Sequence, residues 1–288
     1  MARARSQARK VPSAREGTAM PVMSEYPPGA PCWVDLSTAE PAASLSFYTG
    51  LFGWASYAAP GGGDVAYTFF APAGTAPPDF PGRVVAAMMP SPAAGRPAAW
   101  NTYVSVTDID ATAGKVTNAG GQVIVPPLDV DGQGRMAMFA DDQDALISAW
   151  QPGAFPGCGL VNEPGCFCWS ELACRDTEAA TRFYGRVFGW EAETSQMGPM
   201  TYTEWRLGGR AVGGMVHMDE NWPEGVAPRW VVYFAVADCD QAAARAAELG
   251  GQVAVPPADA PPGRLAVIAD PQGAAFTIVK LAASPPAR

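Results

Sequence analysis

The sequence contains one histidine, His217, and only three lysines among its 288 residues. One histidine cannot serve two Ser-His or Cys-His catalytic sites, and neither a G-x-S-x-G nor a P-loop motif is present. Charged residues make up 16%, whereas hydrophobic residues make up 48%, a balance typical of globular and not disordered chains. No run approaches the ~18 consecutive apolar residues that a membrane-spanning helix needs, so we expect none.

The charge is unevenly distributed. Residues 1–25 carry five basic and two acidic side chains, so the net charge of −9 places about −12 on the remainder. An acidic body disfavours nucleic acid and anionic membranes as partners, because phosphate binding needs clustered Lys and Arg. The basic opening lacks the apolar middle of a secretory signal, and we predict a disordered tail over residues 1–29. Six cysteines without an export signal predict reduced thiols and a cytoplasmic location.

The chain is a tandem repeat. "PCWVDLSTAEPAASLSFYTGLFGW" aligns without gaps on "FCWSELACRDTEAATRFYGRVFGW", 136 residues later. "DIDATAGKVTNAGGQVIVPP" likewise matches "DCDQAAARAAELGGQVAVPP". These matches predict module 1 over residues 30–151 and module 2 over residues 165–282. The Pro- and Gly-rich residues 152–164 are the expected linker, and residues 283–288 form a C-terminal tail.

Each module divides into two similar units. A short apolar strand leads to an amphipathic helix, in which Phe47 and Leu51 lie on the predicted buried stripe and after which Gly53 ends the helix. Alternating strands follow, and the second half repeats the plan. The sequence therefore predicts four βαβββ units and an α+β architecture.

The W-x-(D/E)-L…FY…(L/V)FGW pattern, followed by "AGG-x-V" and by "D-P-x-G" before the last strand, resembles the vicinal oxygen chelate superfamily. That superfamily includes glyoxalase I, extradiol dioxygenases and bleomycin-resistance proteins. In tandem, the pattern is similar to an actinobacterial two-module subgroup, often labelled glyoxalase-like or "hydroxylase", which includes a mycobacterial culture-filtrate antigen. The resemblance covers about residues 30–282. It implies that the eight strands of each module form a half-open barrel around one cavity.

The resemblance also implies where divalent-metal ligands would lie. The family's ligand positions on the first, middle and last strands fall at Trp33 and Trp169, Asn101 and Val231, and Ser148 and Thr277. None of these side chains is a good ligand for a transition metal. His217 follows a strand as an isolated histidine, and Cys166, Cys168 and Cys174 are too spread along one strand to close around zinc. We therefore expect no metal and no cofactor.

Strand periodicity places a tryptophan beside a carboxylate in each predicted cavity, because residues two apart share a face. Module 1 presents Trp33 and Asp35, and module 2 presents Trp169 and Glu171. The middle strands add Tyr103 with Asn101 in module 1, and Tyr233 in module 2. Partial desolvation by the indole should raise the pKa of the carboxyl group and suit it to acid–base chemistry. The predicted catalytic residues are Glu171, Asp35, Tyr233 and Tyr103.

A structural interpretation of the same residues remains open. Trp33 and Trp169 would then fill space that a metal and its waters occupy in relatives. Asp35 and Glu171 would pair with the repeat-matched Arg135 and Arg264, or cap backbone amides. The "FYTGLFGW" phrase itself is expected to be helix and core.

Module 2 also carries a Met- and aromatic-rich segment and a long loop, and on that ground it is the favoured working site. The predicted ligand-contacting residues of both modules are Trp33, Trp169, Asn101, Met197, Met200, Tyr202, Trp205 and Trp222.

Three functions fit the sequence. The first is a metal-independent enzyme that isomerises, cyclises or cleaves a small aromatic or polyketide-like molecule of natural-product metabolism. The second is a non-catalytic protein that sequesters a drug or toxin, as bleomycin-resistance proteins do. The third is a metal enzyme of the glyoxalase or dioxygenase kind, with an unconventional set such as Glu171, Glu204 and His217. The expected partner is a small molecule, and the chain is expected to be a monomer or a homodimer.

Overall fold

The structure, a computed structural model, describes residues 22–59, 67–75, 82–91, 97–197, 200–223 and 225–282. Module 1 runs through β1 (Pro31–Thr38), α1 (Pro41–Phe52), β2 (Ala55–Ala58), β3 (Thr68–Ala71), β4 (Ala86–Pro90), β5 (Ala99–Ser105), α2 (Ile109–Asn118), β6 (Gln122–Val130), β7 (Gly134–Ala140) and β8 (Leu146–Pro152). Module 2 runs through β9 (Phe167–Cys174), α3 (Thr177–Phe188), β10 (Glu191–Met197), β11 (Met200–Leu207), β12 (Arg210–His217), β13 (Arg229–Ala235), α4 (Cys239–Glu248), β14 (Gln252–Ala260), β15 (Gly263–Ala269) and β16 (Ala275–Leu281). The predicted succession of four βαβββ units is confirmed.

Local sequence signals set the helix ends. Asp108, Asp176 and Asp238 precede α2, α3 and α4, and each carboxylate accepts a hydrogen bond from the backbone N–H three residues on. Such caps satisfy amides that the first helical turn leaves unpaired. Gly53 and Gly189 end α1 and α3 with φ of 68° and 76°, a left-handed conformation that glycine adopts at little cost.

Each module forms one eight-stranded sheet with the same strand order. Module 1 follows β2-β3-β4-β1-β5-β8-β7-β6, and module 2 follows β10-β11-β12-β9-β13-β16-β15-β14. The central pair of each sheet, β1 with β5 or β9 with β13, is antiparallel, and each central strand has a parallel outer neighbour. The sheet curls into a half-open barrel, and the concave side of each is here called its cup. The predicted α+β class with two tandem half-open barrels is confirmed.

The hydrophobic core is shared between modules. One cluster joins Phe47, Tyr48 and Trp54 around α1 to Phe234 and Phe276 of module 2. The other joins α3 of module 2, through Phe183, Tyr184 and Trp190, to the second half of module 1. The repeated "FY…FGW" phrase is therefore core, as expected, but it packs against the opposite module.

Polar contacts hold the same junction. Trp54 Nε1 donates to the carbonyl of Gly165 at 2.8 Å, and Trp190 Nε1 donates to the carbonyl of Gly29 at 2.6 Å. The hydroxyls of Thr102 on β5 and Ser170 on β9 share a hydrogen bond of 2.9 Å. Since both modules contribute partners to each other's core, we expect the pair to fold as one unit.

The linker and the residues before β1 pack onto the body. Tyr26 donates its hydroxyl hydrogen to the carbonyl of Cys158 at 2.7 Å, and the N–H of Met23 bonds to Gly159. Cys158 and Leu160 in the linker are buried. Residues 22–29, which the sequence assigned to a loose tail, thus belong to the folded body, because Tyr26 and the linker satisfy each other's polar groups. Within the described ranges, no helix has both the length and the apolar character needed to cross a bilayer.

Candidate functional site

The module 1 cup brings Trp33, Asp35, Asn101 and Tyr103 together. β1 and β5 pair so that Asp35 lies opposite Asn101 and Trp33 opposite Tyr103. Asp35 Oδ1 accepts from Asn101 Nδ2 at 2.8 Å, and Oδ2 accepts from the Tyr103 hydroxyl at 2.9 Å. Asp35 is 1% exposed, Trp33 3% and Tyr103 5%, whereas Asn101 is half-buried, so the carboxyl group of this cluster is closed to solvent.

The structure adds Tyr67, which the sequence analysis missed. Its hydroxyl donates to Asp35 Oδ2 at 2.9 Å and accepts from Trp33 Nε1 at 2.8 Å. Module 2 repeats the contact, because Trp169 Nε1 donates to the Tyr202 hydroxyl at 3.0 Å. The repeated letters "YTF" at 67–69 and "YTE" at 202–204 are the signal that pairs these tyrosines.

The module 2 cup brings Trp169, Glu171, Tyr202 and Tyr233 together. Glu171 Oε1 accepts from the Tyr233 hydroxyl at 2.8 Å, and Tyr202 bonds to the same carboxyl group. All four side chains are half-buried, in contrast to the closed cluster of module 1. The same Trp–Tyr–carboxylate–Tyr arrangement therefore stands in both cups, and it reaches solvent in module 2.

Burial controls the ionisation of both carboxyl groups. Desolvation raises the pKa of Asp35, and the hydrogen bonds from Asn101, Tyr103 and Tyr67 partly oppose this. Desolvation likewise raises the pKa of Glu171, opposed by hydrogen bonds from Tyr233 and Tyr202. Burial also holds the pKa of the flanking tyrosines above the ordinary value. The tyrosines therefore stay protonated, and each carboxyl group binds a proton more readily than an exposed carboxyl group does.

The expected arginine partners lie elsewhere. Arg135 pairs with Asp110 at 2.5 Å, and Arg264 pairs with Asp240 at 2.6 Å and with Asp259. Asp110 and Asp240 lie in the first turns of α2 and α4, and Asp259 lies on β14 beside Arg264. The ion-pair interpretation of Asp35 and Glu171 is therefore wrong.

The donor set of the cups does not fit the metal that relatives bind. The matching positions hold indole, carboxamide, alkyl and hydroxyl groups in Trp33, Trp169, Asn101, Val231, Ser148 and Thr277. No group of three His, Cys, Asp or Glu side chains in the described part of the chain is placed to hold an ion. Gly214 pairs with Glu171, so His217, three residues on, faces the opposite side of the sheet. The proposed ligand set of Glu171, Glu204 and His217 is therefore wrong.

The other predicted ligand-contacting residues of module 2 lie in different places, and only some of them face the cup. Met197 ends β10 on the face that Tyr202 shares and is half-buried, whereas the side chain of Met200 lies outside the described residues. Trp205 is fully buried against Tyr184 and Trp190 in the core. It was wrongly placed in the cup, because residues 202 and 205 differ by an odd number and face opposite sides of β11.

Trp222 lies in the loop before β13, not on a strand of the cup. The Arg229 guanidinium lies 5.8 Å from the centre of its ring, a cation–π contact.

Comparison with known proteins places the fold in a family. Residues 32–148 match the family model of the glyoxalase/bleomycin resistance protein/dioxygenase superfamily, and residues 169–279 match the glyoxalase-like domain. Over 268 residues the chain is 42% identical to "Putative glyoxylase CFP32" of Mycobacterium tuberculosis, covering 91% of this chain and 98% of that protein. It is 38% identical to the anthracycline biosynthesis protein DnrV of Streptomyces peucetius, covering 92% and 98%.

Solved structures share the fold at lower identity. A Mn(II)-bound glyoxalase from Novosphingobium aromaticivorans superposes with a TM-score of 0.60 at 15% identity, over 88% of this chain and 84% of that one. The 2,3-dioxygenase LapB from Pseudomonas sp. KL28 superposes with a TM-score of 0.59 at 12% identity, over 93% and 95%. The chain therefore belongs to the glyoxalase/bleomycin resistance protein/dioxygenase superfamily, as a tandem two-module member.

Proposed function

We propose that the module 2 cup binds a small aromatic or polyketide-like molecule and that Glu171 transfers a proton within it, without a metal. The observation that carries this proposal is the Trp169–Tyr202–Glu171–Tyr233 network, which combines a raised carboxyl pKa with half-buried, ligand-accessible groups. The similarity to an anthracycline biosynthesis protein supports a polycyclic aromatic ligand. We place the activity in natural-product metabolism, inside the cytoplasm.

The proposed step is an isomerisation through an enol. The Glu171 carboxylate removes a proton from carbon next to a carbonyl of the ligand, while Tyr233 or Tyr202 turns its O–H toward the carbonyl oxygen. Glu171 then returns the proton to another carbon, so that no atoms or electrons are gained or lost. A carboxyl group with a raised pKa suits both halves of this exchange near neutral pH.

The test separates chemistry from binding. Glu171→Gln retains an acceptor oxygen for the tyrosines but cannot carry a proton. We expect binding of 1,4-dihydroxyanthraquinone, followed by quenching of tryptophan fluorescence, to stay within several-fold of the parent protein. Deuterium exchange at ligand carbons in D₂O, assayed over a panel of polycyclic aromatic ketones that carry a C–H next to the carbonyl, should fall at least ~100-fold, the size of a general-base contribution. The matched control is Asp35→Asn in the closed cup, which should leave the exchange unchanged.

Sequestration without chemistry is the second candidate. The module 1 network favours it, because hydrogen bonds occupy both oxygens of the buried Asp35 and the same arrangement there satisfies a buried carboxyl group. In that case ligand binds stoichiometrically, and the parent protein and Glu171→Gln show the same absence of exchange.

A further inference from the structure

The module 1 cup contains a phenyl ring from the chain itself. Phe155, in the linker after β8, lies edge-on to Trp33 with ring centres 4.9 Å apart. Its ring centre is also 5.9 Å from that of Phe69 and 6.1 Å from that of Trp150. These three rings belong to β1, β3 and β8, so Phe155 sits among side chains of three different strands of the cup. Edge-to-face contacts at these distances are the favoured geometry for aromatic pairs.

The backbone around Phe155 is anchored on both sides. Trp150 Nε1 donates to the carbonyl of Phe155 at 2.8 Å, and the N–H of Phe155 donates to the carbonyl of Gln133 at 3.0 Å. Three residues on, the N–H of Cys158 bonds to the carbonyl of Cys32 at 2.8 Å. A side chain at Gly157 would bring its Cβ to 2.3 Å from that same carbonyl. The segment is therefore fitted closely against β1, β8 and the turn before β7, which holds the ring in the cup.

Module 2 lacks most of the aromatic side chains that surround Phe155 in module 1, which we call the aromatic cage. Strand pairing makes Trp169 the counterpart of Trp33, Glu204 that of Phe69, and Val279 that of Trp150. Only one of the three aromatic side chains is kept. The position that matches Phe155 is Ser284, which lies outside the described residues. The aromatic cage and the ring that fills it thus occur together in module 1.

We propose that the module 1 cup is a second binding site for a benzene-sized aromatic ring, and that Phe155 occupies it in place of a ligand. The ring site lies beside Trp33, whose indole N–H leads to the hydroxyl of Tyr67 and on to Asp35. Because the indole N–H and both Asp35 oxygens already have partners, a largely apolar benzene-sized ring is the class of ligand that suits the site. The folded chain takes up ligand through module 2 alone, and loss of the Phe155 ring opens module 1.

The test uses Phe155→Ala in the full chain, with 4-bromophenol as the probe. Removal of a ring from an aromatic cage leaves a dry, apolar space of the kind that binds benzene-sized molecules. In crystals soaked with 4-bromophenol, the bromine anomalous signal of the variant should show a site beside Trp33 that the parent protein lacks. Titration calorimetry should show one more equivalent of probe bound, and the probe should raise the Tm of the variant more than that of the parent protein.

Phe155→Tyr is the matched control, since tyrosine keeps the ring in the cup and should exclude the probe. If Phe155→Ala does not fold, Phe155→Val, which also removes the ring, takes its place in the same measurements. A folded variant without bromine beside Trp33 overturns the proposal, as does probe bound there in the parent protein. Binding in module 2 is read separately from its own bromine position, so failure of the proposed function is distinguishable from failure of this inference.

Discussion

The phenol of Tyr48 in module 1 donates a hydrogen bond of 3.0 Å to Oδ2 of Asp270 in module 2. The mirror contact joins Tyr184 in module 2 to Asp141 in module 1 at 2.9 Å. Tyr48 is fully buried and also accepts from Trp100 Nε1 at 3.0 Å. The repeated "FY…FGW" motif, which identifies the tandem repeat, therefore also supplies the tyrosines that bind each module to the other.

Tyr48→Phe should destabilise the whole chain. The change leaves a buried Asp270 oxygen and the buried Trp100 N–H without this partner, at a cost of about 1–3 kcal/mol in the free energy of unfolding. Urea denaturation followed by tryptophan fluorescence measures the loss. A single transition is expected in both proteins, because each module completes the core of the other. Two separated transitions in the variant would show that the modules fold independently.

The stability contribution of Asp35 should depend on pH. Its folded-state pKa is raised by burial, so between the unfolded pKa and the folded pKa the native state binds more protons than the unfolded state. Stability from this group therefore falls as pH rises through that window. Asp35→Asn removes the titration, and the neighbouring Asn101 amide can rotate to keep a hydrogen bond.

Urea midpoints of the parent protein and Asp35→Asn, measured from pH 4 to 8, test this sign. We expect Asp35→Asn to gain stability relative to the parent protein as pH rises. A difference between the two proteins that does not vary with pH would contradict a raised pKa at Asp35.

Gly214→Ala should disrupt the module 2 cup. A Cβ at position 214 would lie 1.9 Å from the Tyr202 hydroxyl and 2.9 Å from Trp169 Nε1, so Tyr202 has to leave Glu171. Loss of that buried hydrogen bond should weaken binding of 1,4-dihydroxyanthraquinone about 10-fold, since each ~1.4 kcal/mol is a factor of ten. Fluorescence titration measures the affinity. Ala87→Gly at the matched position of module 1 is the control, and an equal loss there would mean that the effect is not local.

Divalent metals should leave the protein unchanged. The matching ligand positions carry weak or non-ligating side chains, as in Trp169, Val231 and Thr277. We expect dialysis against EDTA, and then against Mn²⁺ or Zn²⁺, to alter neither the Tm nor the affinity for 1,4-dihydroxyanthraquinone. Elemental analysis after gel filtration gives the metal content directly. A stoichiometric ion with a raised Tm would show that the cups use other ligands.

Sequence patterns were sufficient for local and repeated features. Alternation along a strand correctly put Trp33 beside Asp35 and Trp169 beside Glu171, because neighbouring side chains in a strand alternate by geometry alone. The prediction for Trp205 was wrong because it treated residues 195–207 as one ligand-facing segment. Alternation along β11 puts Trp205, three residues after Tyr202, on the opposite face of the sheet. Tyr67 was missed because its contact to Asp35 spans 32 residues, and the sequence between the first strand and this tyrosine differs in length between the modules.

The amino-acid order by itself determined the two modules, their four βαβββ units, and the indole–carboxylate pair on the first strand of each. These follow from periodicity and from repetition, which are properties of neighbours along the chain. Only the tertiary structure decided that α1 and α3 pack into the opposite module, that Tyr67 and Tyr202 join the carboxyl groups, and that Phe155 fills the module 1 cup. Contacts of this kind depend on how the curled sheets fold in space, and the burial they produce raises the pKa of Asp35 and Glu171.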